Sequence, residues 1–382
     1  MKTANSYLEA ITCMVYARTF KEKMMAIQYF WQLPTTSDAR YGDATKQRRG
    51  ESTDPNYPVF GKGLTDPRRN AFNYYDYLHQ VTKAADISGF NGVQIPDYAD
   101  GEESWIVAGY VARSTQRLKL LTQFDAARGS AVYAAKNAVT FQRYTGGRFS
   151  LQITESAADE KTRKRAGDFI EKSDILPRID EFLTVAKGVL TTYPFNFVGR
   201  FFEVENGGFQ GPLSDRKVPD IYLSANDLES LHLSAKHADV HILDADLYGN
   251  IKKQIEEYRQ IVKKLDRSPE IALRIDILAR ETRDEALFDA ERFLKQTGFL
   301  ANQPADQNTL LWNGFSTSYT GATASLVGSY DEVAQALSEY IDLGVTQFIL
   351  AAVPHLEEAY RAGSYVLPLV RNITNPAQKQ AA

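Results

Sequence analysis

The clearest fold signal in this chain is Gln347-Phe-Ile-Leu-Ala-Ala-Val-Pro-His-Leu-Glu-Glu-Ala-Tyr-Arg361. Its apolar run, 348–352, is typical of a strand that is buried on both faces of a parallel sheet. His355 follows the strand, and the residues after it predict a helix. A histidine just past the carboxyl end of such a strand lies where barrel enzymes place their catalytic groups. A histidine that only packs at a helix start also fits, and the spacing leaves both interpretations open.

The same pattern of an apolar run followed by a helix repeats along the chain. Predicted strands lie at 26–32, 90–95, 118–124, 148–153, 220–223, 238–243, 271–279 and 346–352. Helical patterns between them include 74–87, 131–144, 179–191, 228–237, 251–265, 282–296 and 331–343. Strand–helix alternation predicts a parallel sheet with right-handed crossovers. Eight units predict a single (β/α)₈ TIM barrel. An open doubly wound sheet is the alternative, but no Gly-x-Gly-x-x-Gly follows the first strand.

Two insertions interrupt the regular spacing, 33–72 after strand one and 299–328 after strand seven. Loops of this length are uncommon unless they are lids or disordered, so the second insertion predicts a lid over the barrel mouth. Residues 26–372 are the predicted barrel domain. Residues 1–25 are interpreted as an N-terminal arm, either disordered or the product of an early start codon, and 373–382 as a C-terminal tail.

Composition narrows the class of protein. The 382 residues are 43% apolar and 24% charged, as in ordinary globular proteins. A formal net charge of -4 argues against a nucleic acid or an anionic membrane as partner. One cysteine and five histidines argue against a disulfide framework and a cysteine zinc site, and no metal site is predicted. Because no apolar run approaches the roughly 20 residues of a membrane span, a soluble cytoplasmic protein is expected.

Strand seven carries two charged residues at alternating positions, Arg274 and Asp276. Side chains two residues apart on a strand share a face, and the apolar residues between them face the helices. The pair is therefore expected inside the barrel, near its mouth. It is either a structural ion pair or an arginine that stabilises negative charge, oriented by the aspartate.

Several short motifs occur in one order between residues 27 and 371. They are Phe30-Trp-Gln-Leu-Pro34, Ala85-Asp-Ile-Ser-Gly-Phe-Asn-Gly-Val-Gln-Ile-Pro96, Glu102-Glu-Ser-Trp105, Thr115-Gln-Arg-Leu-Lys-Leu-Leu121, Thr145-Gly-Gly-Arg-Phe149, Arg280-Glu-Thr-Arg-Asp-Glu-Ala286, Ser325-Leu-Val-Gly328 and Pro354-His-Leu-Glu-Glu-Ala-Tyr-Arg361. In this order they resemble the bacterial luciferase-like, flavin-dependent monooxygenases, most closely the alkanesulfonate monooxygenases.

The resemblance implies a (β/α)₈ barrel that forms a homodimer or homotetramer. It implies that reduced FMN comes from a separate NAD(P)H:flavin reductase, and that O₂ forms a flavin peroxide which attacks a small organic substrate. Two alternatives stay open. One is a non-catalytic barrel subunit that pairs with an active homologue, and the other is a deazaflavin-dependent oxidoreductase.

Four residues are the predicted catalytic group. Arg274 stabilises negative charge, Asp276 orients it, His355 donates or relays a proton, and Tyr319 closes over the ligand from the second insertion. The chain departs from the alkanesulfonate pattern at this group, because Asp276 and Tyr319 replace a histidine and an arginine of those enzymes. Gly101 and Val353 replace a cysteine and a tyrosine.

The predicted cofactor residues lie at strand ends. By resemblance, the turn formed by Ser224, Ala225 and Asn226 holds the FMN phosphate, since helix starts bind phosphate. A loose capping box between Asn226 and Glu229 is the other interpretation of this turn, and Asp227 there would repel a phosphate. Leu176 replaces a tyrosine that the family uses near the phosphate. Further candidates are Gln123 and Thr154 beside the isoalloxazine ring, Trp31 as a pocket wall or plain core, and Asp97 facing the substrate.

Overall fold

Eight parallel strands close into a barrel in this computed structural model, which describes residues 27–36, 74–99, 101–154, 160–297, 310–312 and 322–374. In chain order, β1 to β8 are Gln28–Gln32, Gly92–Ile95, Lys119–Asp125, Phe149–Thr154, Asp220–Ser224, Val240–Asp244, Glu270–Arg280 and Gln347–Ala351. Each strand pairs in parallel with the next, and β8 pairs with β1 to close the ring. The predicted TIM barrel and its eight strands are confirmed.

Helices surround the barrel. They are α1 Tyr74–Ile87, α2 Ser104–Ser114, α3 Ala131–Thr145, α4 Glu160–Arg165, α5 Ile175–Thr191, α6 Leu228–His237, α7 Tyr248–Lys264, α8 Arg283–Thr297, α9 Tyr330–Asp342, α10 His355–Arg361 and α11 Leu367–Thr374. Local signals set their ends: Ser130 caps α3 by accepting from the Tyr133 N–H, and Gly146 ends it with φ of 67°. In the described part of the chain, no helix has the length and apolar character needed to cross a membrane.

The alternation predicted for β7 is confirmed. Leu273 and Ile275 belong to the large core between barrel and helices, whereas Ala272 belongs to a separate cluster inside the barrel. That inner cluster, the apolar plug, consists of Phe30, Leu121, Tyr222, Val240, Ile242, Ala272 and Ile349. Because the plug fills the barrel interior, a ligand can reach only the mouth at the carboxyl ends of the strands.

The second insertion is only partly a loop. Ser325–Ser329 pairs in parallel with the carboxyl-terminal half of β7. Leu311–Trp312 in turn pairs antiparallel with Ser325–Ser329. These residues of the insertion form strands because β7 is eleven residues long and offers a pairing edge beyond β8. Tyr319 and most of the predicted lid lie outside the described residues, as do 1–26, most of 33–72 and 375–382.

A two-stranded hairpin forms a second sheet that is not part of the barrel. Phe195–Val198 pairs antiparallel with Glu203–Gly207. The apolar–polar alternation at 200–209, with Gly207 and Gly208, predicts a surface hairpin there, and its second strand is confirmed. The first strand lies further upstream, where its aromatic residues Phe195 and Phe197 pack against the main core.

Candidate active site

Polar side chains follow the plug toward the mouth of the barrel. Gln94 on β2 donates from Nε2 to Oε1 of Gln152 on β4 at 3.1 Å. Gln32 on β1 donates from Nε2 to the hydroxyl of Tyr98, in the loop after β2, at 3.3 Å. Oε1 of Gln94 is buried and accepts no hydrogen bond from the described residues. A buried acceptor of this kind needs a donor, and a ligand at the mouth can supply one.

Arg274 is held by a carboxylate on the neighbouring strand. Its Nε and Nη2 donate to Oδ1 and Oδ2 of Asp244 at 2.6 and 2.9 Å, which is a bidentate ion pair. Burial alone would lower the pKa of Arg274, but the facing Asp244 carboxylate raises it on balance. Nη1 makes no hydrogen bond within the described residues, and 20% of the side chain is exposed. This donor is therefore available to a ligand.

Asp276 lies near this pair, but the carboxylate that forms the bidentate ion pair with Arg274 is that of Asp244. Its side chain is buried, and its charge acts on Tyr98 and on Arg274. The bidentate partner of Arg274 is Asp244, because residue 244 stands opposite residue 274 in the β6–β7 register, and the orienting role of Asp276 stays a prediction. Burial raises the pKa of Tyr98, Arg274 lowers it and Asp276 raises it again, so the hydroxyl keeps its proton. With both carboxyls ionised, Arg274, Asp244 and Asp276 sum to one negative charge.

His355 and Trp31 lie behind the mouth. Since Phe30 belongs to the plug, alternation turns Trp31 to the helix side of β1, where it packs on Phe90 with ring centroids 5.3 Å apart. His355 is fully buried at the start of α10 and meets Trp31 edge-on at 6.5 Å. Of the two interpretations of Trp31, pocket wall or plain core, this placement favours the core. His355 packs against Trp31, and its role in proton transfer stays a prediction.

Gln123 and Thr154 lie at the carboxyl ends of β3 and β4, as predicted, but both make local hydrogen bonds. Oε1 of Gln123 accepts from the Asp97 N–H at 2.8 Å, and Thr154 Oγ1 donates to the Phe124 carbonyl at 3.4 Å. Asp97 pairs with Arg128, with 2.9 Å between Oδ1 and Nη1. Burial raises the pKa of Asp97 to about 6 in spite of that arginine. Gln123 therefore shapes the loop after β2.

The predicted phosphate turn is capped by the chain itself. Ser230 N–H donates to Oδ1 of Asp227 at 2.8 Å, and Ser230 Oγ accepts from the N–H groups of Asn226 and Asp227 at 3.0 and 3.1 Å. The capping box is therefore Asp227 with Ser230, one residue further on than the loose box with Asn226 and Glu229. Residue 227 has the extended backbone of an N-cap.

The two ends of a flavin fit this site differently. The uncharged glutamines Gln32, Gln94 and Gln152 and the unsatisfied Gln94 Oε1 suit the polar edge of an isoalloxazine ring, which carries an N–H donor. The turn at Ser224, Ala225 and Asn226 does not suit a phosphate, because Asp227 already places a carboxylate at the start of α6. Residues present at the mouth therefore fit the ring and not the phosphate at this turn.

Sequence reasoning missed Asp244 and Tyr98. Asp244 directly follows the predicted strand 238–243, and Tyr98 follows the strand at 90–95, so both lie at strand ends like the chosen candidates. The missing information was which strand ends face each other. Only the register between β6 and β7 brings Asp244 to Arg274.

Comparisons with known proteins agree with the fold. A family model described as luciferase-like monooxygenase matches residues 50–347. A riboflavin lyase is similar at a TM-score of 0.70 and 14% identity, covering 91% of this chain and 92% of its own. A long-chain alkane monooxygenase is similar at 0.69 and 16%, covering 91% and 92%. The coenzyme F420-dependent tetrahydromethanopterin reductase of Methanopyrus kandleri is similar at 0.60 and 16%, covering 90% and 99%. At these identities the structures support the fold alone.

Proposed function

The chain belongs to the luciferase-like monooxygenase family, and on that premise we propose that it is a reduced-flavin- and O₂-dependent monooxygenase. Its substrate is a small organic molecule that enters at the barrel mouth. In the two-component form of this proposal, a separate NAD(P)H:flavin reductase supplies reduced FMN. The long-chain alkane monooxygenase with the same fold supports oxygen insertion as the reaction type.

The observation that carries the proposal is Arg274, whose charge is fixed at the mouth and whose Nη1 is left for a ligand. Asp244 holds the guanidinium in one orientation, so no reorganisation is needed when negative charge develops beside it. The Tyr98 hydroxyl stays protonated and can hold a proton near the same place. Bound flavin supplies the reducing electrons and activates O₂; the protein supplies position and charge.

Two further roles remain proposals on the resemblance. His355 relays a proton, and Tyr319 closes over the ligand. Excluding water is the purpose of such closure, because oxygen activation at an exposed site loses reducing equivalents to unproductive side reactions. The apolar plug lies below the mouth, inside the barrel, and its side chains are buried.

Flavin binding and oxygen consumption test the proposal. The purified chain is titrated with oxidised and with anaerobically reduced FMN and riboflavin, and O₂ uptake is then followed with a flavin reductase, NADH and candidate substrates. We expect binding of reduced flavin and substrate-dependent O₂ uptake. If no flavin binds in either redox state, the proposal is wrong. The alternative of a non-catalytic subunit that pairs with an active homologue is then favoured.

A deazaflavin oxidoreductase is the second candidate, supported by the similarity to the F420-dependent reductase. Coenzyme F420 transfers hydride without O₂. Anaerobic reduction of F420 by the chain with an alcohol or another hydride donor, combined with no O₂ uptake with reduced FMN, would decide for this candidate.

A further inference from the structure

Four amides at the start of α6 are already engaged by side chains of the chain itself. The Ser230 N–H donates to the Asp227 carboxylate, and the Glu229 N–H also donates a hydrogen bond to that carboxylate. These hydrogen bonds lower the pKa of Asp227, so it is ionised at neutral pH. The N–H groups of Asn226 and Asp227 are taken by Ser230 Oγ. The helix dipole, which elsewhere favours a bound phosphate, here stabilises a carboxylate of the chain.

A cavity of about 780 Å³ opens beside this helix start, at the carboxyl ends of β5 and β6. Its charged lining residues are all acidic: Asp227, Asp244, Asp246 and Glu257. Among the described residues that line it there is no lysine or arginine. His241 also lines it, but burial lowers the pKa of this histidine to about 4, so it adds no positive charge at neutral pH.

Lys172 acts electrostatically on Asp227 but does not line the cavity, and the arginine at the mouth already has an acidic partner. Arg274 is neutralised by Asp244 through two hydrogen bonds, and Asp276 adds a second negative charge near it. A flavin phosphate carries between about -1.5 and -2 charges at pH 7. Placed at this turn, it would meet like charges at close range, where their repulsion is strong. The free 5′-hydroxyl of riboflavin carries no charge and can donate a hydrogen bond to a carboxylate.

We propose that this chain discriminates against the 5′-phosphate of the flavin, that it binds riboflavin more tightly than FMN, and that Asp227 is the specificity-determining residue. The inference rests on the proposed function, since it names the form of flavin that the same mouth takes. It differs from the expectation by resemblance, in which the turn at 224–226 holds the FMN phosphate.

Binding measurements on the full chain test this inference without turnover. Dissociation constants for riboflavin and FMN, oxidised and anaerobically reduced, are measured by calorimetry or flavin fluorescence at low and at high salt. We expect riboflavin to bind at least tenfold more tightly at low salt, with a smaller difference at high salt because salt screens the repulsion. FMN binding as tightly as riboflavin, or more tightly, would overturn the inference while leaving the proposed function intact.

Asp227→Asn tests the residue. Asparagine remains a good N-cap, so α6 is kept while the charge is removed. We expect the variant to bind FMN at least threefold more tightly than the wild type and riboflavin within twofold of it. Asp215→Asn is the matched control, because Asp215 is exposed in the loop before β5, at the opposite end of the barrel. Equal gains in FMN affinity from both variants would point to net charge rather than to the turn, and would overturn the assignment to Asp227.

Discussion

The two hydrogen bonds that Asp244 accepts define what Arg274 can do. They use Nε and Nη2 and leave Nη1 at the mouth. A guanidinium that is hydrogen-bonded along one edge presents its remaining donors in a fixed direction. The flexible ammonium group of a lysine at this position would not be fixed in this way. The consequence is a donor that is already oriented before a ligand arrives, as stabilisation of developing negative charge requires.

Removing Arg274 is expected to stop turnover. Arg274→Ala deletes one preorganised donor, so kcat/KM for O₂-dependent turnover should fall on the order of 10²–10³-fold. Stability should also fall by about 2 kcal/mol, because Asp244 loses its partner while only 26% of its side chain is exposed. Steady-state kinetics and urea denaturation measure the two effects.

The double variant Arg274→Ala with Asp244→Ala separates the two roles. It leaves no unpaired charge from this pair, so it should recover most of the lost stability and remain inactive. Recovery of turnover together with stability would mean that the pair is only structural.

Asp97 is expected to make stability depend on pH. Burial raises the pKa of its carboxyl from 3.8 to about 6. The folded state therefore holds more protons than the unfolded state between these values, so stability falls as pH rises through this window. A shift of this size corresponds to about 2–3 kcal/mol.

Thermal or urea unfolding at pH 4, 5, 6 and 7 checks this prediction by comparing the wild type with Asp97→Asn, whose side chain has the same shape but cannot ionise. The fall in stability from pH 4 to pH 7 should be smaller in the variant by about 2–3 kcal/mol. Parallel stability curves for the two proteins would show that the Asp97 carboxyl does not titrate in this window.

At the scale of elements, a buried ion pair joins β7 to α10. The guanidinium of Arg280, the last residue of β7, donates to both carboxylate oxygens of Glu358 at 3.0 and 3.1 Å. Arg280 Nε also donates to Asp289 on α8 at 2.6 Å. One guanidinium thus ties one strand to two helices, and one of these helices begins with His355.

Breaking this link on one side is expected to be costly. Glu358→Ala should lower the free energy of unfolding by about 3–5 kcal/mol, since it leaves Arg280 buried with one partner fewer. Glu358→Gln keeps the side-chain shape and one acceptor, so it should lower the free energy of unfolding by less than the alanine variant does. Chemical denaturation measures both. A loss below about 1 kcal/mol for the alanine variant would show that solvent reaches the site, as at a surface ion pair.

For the whole molecule, self-association remains a proposal. Ile106 and Tyr110 are four residues apart on α2, so they share one helix face, and both are exposed. Tyr75 of α1 packs on Tyr110 with ring centroids 5.4 Å apart and extends the same surface. An exposed apolar surface of this kind is typical of contacts between protein chains.

If this surface joins copies in a homodimer or homotetramer, Ile106→Glu should shift the protein toward monomer by at least tenfold in dissociation constant, because it places a charge in an apolar contact. Analytical ultracentrifugation measures the shift. Ile87→Glu, at another well-exposed apolar position, the end of α1, is the control. An unchanged mass distribution in Ile106→Glu would exclude this surface as the interface.

The barrel could be read from the sequence because its signals are local. An apolar run, a glycine turn and an amphipathic helix each depend on neighbouring residues, and eight repeats of that unit permit few topologies. The inward direction of Arg274 and Asp276 followed from strand alternation alone. The turn at 224–227 was also identified as a helix start, although its cap is one residue further on.

Contacts between strands were decided only by the tertiary structure. Asp244 reaches Arg274 because β6 and β7 pair at that register, thirty residues apart in the chain. The strand at Ser325–Ser329 formed because β7 extends beyond β8, and Trp31 turned to the core because Phe30 fills the plug. Periodicity along the chain determines which way a side chain points. The register set by barrel closure determines which side chain it meets, and a single sequence does not encode that register locally.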